Sequence, residues 1–120
     1  MNSSNELRLV PASIVAAILC FAFSSVASAG ESWQSGPLSV IYPFADGNFA
    51  LMFSTDNSAC TSVENPKRYH VIVGANGMTV EGAKKIYATA MAAMSLNKPL
   101  SVAFDNSSSS CYVNRVLFSN

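Results

Sequence analysis

Charge is scarce in this chain. Asp, Glu, Lys and Arg make up 12 % of its 120 residues and sum to zero. A neutral chain lacks the basic footprint that phosphate groups require, which excludes nucleic acid as a ligand class and argues against an anionic membrane surface. There is one histidine, His70. Without a serine in a nucleophile-elbow context or paired carboxylates, it cannot be built into a nucleophile–base–acid relay. Nor do His70 and the distant cysteines have the spacing of a metal site. Gly74 and Asn76-Gly77 are not followed by the lysine of a phosphate-binding loop, and there is no dinucleotide fingerprint. No internal repeat is visible, and the only low-complexity stretch, Ser107–Ser110, reads as a short flexible loop. The composition therefore points away from catalysis, and no cofactor is implied.

Apolar runs are also few, and the longest comes first. Val10 to Phe23 follows a weakly positive start and runs into Ala27-Ser28-Ala29, the small-x-small pattern that signal peptidase accepts. Cleavage is expected between Ala29 and Gly30, making residues 1–29 a signal peptide and residues 30–120 one small domain. Pro11 and the serines leave the run short of the ~20 residues of a membrane span. Leu19 is too large for a lipoprotein cleavage site ahead of Cys20. Removing residues 1–29 takes one of seven charges from each sign, Arg8 and Glu6, and leaves six against six. The expected compartment is the periplasm or the exterior.

Two cysteines lie beyond that cleavage point, Cys60 and Cys111. In an oxidising compartment an isolated pair has one connectivity. A disulfide would close a loop of about 50 residues, worth roughly 4 kcal/mol by chain entropy.

The stretch from Thr79 to Phe118 organises the domain. Thr79 is a good N-cap, and Glu81 suits the positive end of a helix dipole. At ~100° per residue, Val80, Ala83, Tyr87, Ala90, Met91 and Met94 form one apolar stripe with Ile86 at its edge. Glu81, Lys85, Thr89 and Ala92 fall opposite. Asn97 can adopt the left-handed conformation after the last turn, and Pro99 ends the helix. Leu100–Phe104 alternates as a strand, and Cys111–Phe118 forms the last one.

Ahead of the helix, Trp33–Pro37 reads as a polar lead-in. Leu38–Phe44 alternates, with Leu38, Val40, Tyr42 and Phe44 on one face, and Pro43 makes it an edge strand. Ala45-Asp46-Gly47-Asn48 is a hairpin turn. Phe49, Leu51 and Phe53 share a face of the returning strand. A polar loop, Thr55–Lys67, carries Cys60 to a third strand at Tyr69–Val73. The order strand-strand-strand-helix-strand-strand predicts a mainly β domain with one helix. It is the order of the oligonucleotide/oligosaccharide-binding (OB) barrel, five strands in a partly open Greek key. An open α+β sheet covered by the helix uses the same elements.

Trp33, Tyr42, Tyr69, Tyr87 and Tyr112 could supply stacking faces for a sugar, while Tyr42 and Tyr87 could equally face the core. Met78, Met91 and Met94 read as core filler. Asn106-Ser107-Ser108 fits the N-glycosylation pattern, which matters only in a eukaryotic secretory route.

The run Gly82–Ala93, the turn Asn97-Lys98-Pro99, Leu100-Ser101-Val102 and the strand after Cys111 resemble small exported bacterial proteins of unassigned function. These in turn look like the B subunit of subtilase cytotoxin, an OB-fold pentamer that binds cell-surface glycans. The resemblance implies a fold and a binding role, and assigns no site residue. The expectation is an exported, non-enzymatic binding or interaction module with a glycan or protein partner. A small periplasmic enzyme or inhibitor, or a structural partner subunit, are the alternatives. The helix face opposite the stripe carries Ala88, Ala92 and Leu96 among charged residues, so a monomer or dimer is expected rather than a ring.

Overall fold

The structure, a computed structural model, describes residues 30–119. The signal peptide expected over residues 1–29, with Ala29 at its end, lies outside the described residues. Six strands and one helix follow in the order β1 (Glu31–Gly36), β2 (Leu38–Pro43), β3 (Phe49–Phe53), β4 (Tyr69–Val71), α1 (Val80–Ser95), β5 (Leu100–Asp105) and β6 (Val113–Leu117). They form two three-stranded antiparallel sheets, β1-β5-β6 and β2-β3-β4, and not a closed barrel.

The segment expected as a lead-in is a full strand. β1 pairs with β5 from Glu31↔Asp105 to Gly36↔Leu100. Its hydrophobic signal is missing because only Gln34 is fully buried. That buried amide is satisfied by donating from Nε2 to the Thr55 carbonyl at 2.6 Å.

The sheets meet at both margins. At one, Pro37 joins β1 to β2, and its carbonyl accepts the Ser54 N–H at 3.1 Å. At the other, His70 N–H in β4 donates to the Cys111 carbonyl just before β6, at 3.3 Å. Between them Phe49, Leu51, Phe53, Tyr69, Val71, Leu100, Val102, Phe104 and Val113 form the core. Tyr69 stands edge-on to Phe53 from one sheet and Phe104 from the other, with ring centroids 5.3 and 5.1 Å away. The Cys60–Cys111 disulfide joins the β3–β4 loop to the start of β6, with Cα atoms 5.7 Å apart.

The helix begins and ends as its sequence requires. Thr79 Oγ1 accepts the Gly82 N–H at 3.0 Å, and Asn97 adopts φ 55° beyond the last turn. Its buried face is Ala83, Ile86, Ala90 and Ala93, set against β2 and β6, one strand from each sheet. This is rotated from the expected stripe. Val80 is 55 % exposed and Met91 44 %, whereas Ala93 is fully buried. Alanines allow the helix backbone close to the sheets, and a long side chain in the same place would hold it off. Met78 fills the core as expected, Met94 is half-buried, and Met91 does not take part.

Candidate functional site

The site begins with an irregularity in β2. Leu38 pairs with Phe53, but the next partners are Val40↔Met52, so β2 carries one extra residue there. A bulge of this kind re-aims the side chains that follow. Leu38 and Ile41 pack on the core, while Val40 and Tyr42 turn outward and are exposed. The expectation that Leu38, Val40, Tyr42 and Phe44 lie on one face is corrected here, since the bulge turns Leu38 away from Val40 and Tyr42.

Tyr42 is therefore 42 % exposed on the outer face of the β2-β3-β4 sheet. It pairs with Ala50, which pairs with His70, so the three stand in a row across the sheet. Ala50 between them is fully covered. Phe44 lies against both rings, 5.3 Å from Tyr42 and stacked 6.3 Å from the imidazole. Arg68 lies over Tyr42, its guanidinium carbon 5.0 Å from the centroid.

The polar groups here are only partly engaged. His70 Nδ1–H donates to the Ser110 carbonyl at 2.7 Å, and among the described residues Nε2 has no partner. Arg68 Nε is buried without a hydrogen-bond partner. Among the described residues the ion pairs are Lys84–Glu81 and Arg115–Glu31, so Arg68 has no carboxylate. Its neighbour Lys67 is held on the loop, donating to the carbonyls of Asn57 and Cys60 at 3.1 and 2.6 Å. The face thus offers a cation, an imidazole nitrogen and two rings.

The remaining aromatic candidates are used elsewhere. Trp33 is as exposed as Tyr42 and likewise carries a guanidinium, that of Arg115, 5.1 Å from its centroid; the difference is that Arg115, unlike Arg68, is paired with a carboxylate. Glu31 holds that guanidinium by two bonds of 2.6 and 2.7 Å. Tyr69 is fully buried, Tyr87 stands edge-on to Phe49, and Tyr112 is half-buried beside the β5–β6 bulge. Asn106 is tied by its side chain to Gly30 and Ser32 at the entry to β1.

No carboxylate among the described residues bonds the His70 ring, and its side-chain partner is a backbone carbonyl. Among the described residues no three His, Cys, Asp or Glu side chains gather as metal ligands, and no helix is long and apolar enough to cross a membrane. Phe44 and Arg68 escaped the sequence reading. The signal available was the spacing of Arg68 and His70, which puts both opposite the core-facing Tyr69 and Val71. Compared with known protein families, curated proteins and solved structures, the chain matches none.

Proposed function

We propose that the chain is an exported, non-enzymatic binding module of OB-like architecture, and that the outer face of β2-β3-β4 takes a glycan. The observation that carries this is Tyr42, an exposed ring flanked by Phe44 and by the unpaired Arg68. The apolar face of a sugar ring stacks on an aromatic, and its oxygens accept from a guanidinium.

The strand neighbours support the OB-like reading. Taken as one strand interrupted at Pro37, β1 and β2 lie beside β5 and β3, while β4 reaches the start of β6 through the His70–Cys111 bond. In OB folds, oligosaccharides bind over the second and third strands and the adjoining loops. Here those strands are β3 and β4, next to the turn after Phe44 and the loop that ends at Ser110. The resemblance of Gly82–Phe118 to subtilase-cytotoxin-like exported proteins agrees with this reading, as does a disulfide, which belongs in an oxidising compartment.

A glycan array followed by titration calorimetry tests it. Tyr42→Ala should weaken binding about tenfold, or about 1.4 kcal/mol, and Trp33→Ala should leave it unchanged. Flat responses across all sugars would remove the carbohydrate reading.

A further inference from the structure

A second concavity lies away from that face, between the β2–β3 turn and the first two turns of α1, with a volume of about 550 Å³. This is the size of small-molecule sites in general. Phe49, Val73, Val80, Ala83 and Tyr87 make its apolar lining, with Lys84 on the helix wall. It shares no residue with Tyr42, Phe44, Arg68 or His70.

The turn wall is held in shape by its own hydrogen bonds. Asp46 accepts the Asn48 N–H and the Asn48 side-chain amide, each at 3.0 Å. Asn48 Oδ1 in turn accepts the Val73 N–H at 3.0 Å, and the Asn48 carbonyl takes the Phe44 N–H at 2.8 Å. Lys84 differs. Its one acidic neighbour, Glu81, stands 3.6 Å away, and both side chains are more than two-thirds exposed. Such a pair is weak and readily exchanged for another anion. Asp46 puts negative charge on the opposite wall, which directs an incoming anion to the helix side. Val73 and Val80 remain 40 % and 55 % exposed at this cleft, apolar surface that a ligand would cover.

We propose that this cleft binds a free amphiphile with an apolar body and one carboxylate headgroup, the body against Phe49, Val73, Val80 and Tyr87 and the headgroup on the Lys84 ammonium. A free ligand fits better than a bilayer because the cleft is a single concavity of molecular size and its walls carry charge of both signs.

Calorimetry on the purified, oxidised protein with decanoate tests the proposal. Saturable one-to-one binding is expected, weakened at least fivefold by Lys84→Gln and abolished by Val80→Glu. Both positions are exposed, and unchanged thermal melting of each variant would establish that the fold is kept. Decyltrimethylammonium should bind at least fivefold more weakly than decanoate. Absence of decanoate binding, indifference to Lys84→Gln, or equal binding of the cationic amphiphile would each overturn the proposal. So would co-sedimentation with phosphatidylglycerol vesicles that Lys84→Gln abolishes, since that would move the site to a membrane surface.

Discussion

The hydroxyl of Tyr69 accepts the backbone N–H of Asn57 at 3.1 Å. One buried side chain thus joins the two sheets through its ring and holds the loop leading to Cys60 through its oxygen. Burial pushes the Tyr69 phenol above its ordinary value of 10.0, although the Asn57 bond pulls the other way. The unfolded chain therefore ionises this group first. Stability due to Tyr69 should be complete below about pH 10 and be lost as pH rises through the folded-state value. Urea midpoints taken from neutral to alkaline pH should show that fall. Tyr69→Phe should reduce its slope and, by orphaning the Asn57 N–H, cost about 1–2 kcal/mol at neutral pH.

The disulfide spans a sequence separation of 51. Material recovered from an oxidising compartment should show no free thiol by intact mass after alkylation without reductant. Two labelled thiols would contradict the bond. Cys60→Ser should destabilise by roughly 4 kcal/mol and leave Cys111 open to alkylation on unfolding.

Helix phase can be read by a pair of neighbouring substitutions. Ala90 is fully buried and Met91 is not. Ala90→Leu should overpack the interior and cost about 1–3 kcal/mol, whereas Met91→Lys should stay within about 0.5 kcal/mol. The sequence-derived stripe, which puts both residues inward, predicts a substantial loss for each.

Assembly turns on the outer face of α1, where Ala88 and Ala92 are exposed and Leu96, at the end of the helix, is 62 % exposed. We expect a monomer or dimer of the processed chain. Light scattering should return about 10 kDa or twice that, and roughly 50 kDa would indicate a five-membered ring.

Much of the domain was legible in the sequence because local chemistry fixed it. Thr79, Asn97 and Asp46-Gly47-Asn48 act through their own backbone and need no distant partner, so the helix ends and the hairpin turn are where the residues put them. The three residues Phe49, Leu51 and Phe53 are likewise buried together. What escaped depends on tertiary context. β1 carries serines and a glutamine, and only its pairing with β5 and the Thr55 carbonyl make it a strand. Tyr42 reads as an inward residue by alternation, and one extra residue after Leu38 reverses that. The helix stripe was misplaced because hydropathy favours Met91 over Ala93, whereas close packing against the sheets favours the smaller side chain. The candidate face combines both kinds of blindness, since it requires the bulge and the distant approach of Arg68 and Ser110.

His70 is bound twice to the residues at the staple. Its N–H reaches the Cys111 carbonyl and its ring reaches that of Ser110. For the proposed ligand of the outer face, this would link occupancy to the redox state of the disulfide. A ligand that needs the His70 ring held in place pays to order it once the sulfurs part, so it binds the oxidised form more tightly. By reciprocity the same factor makes the liganded protein harder to reduce.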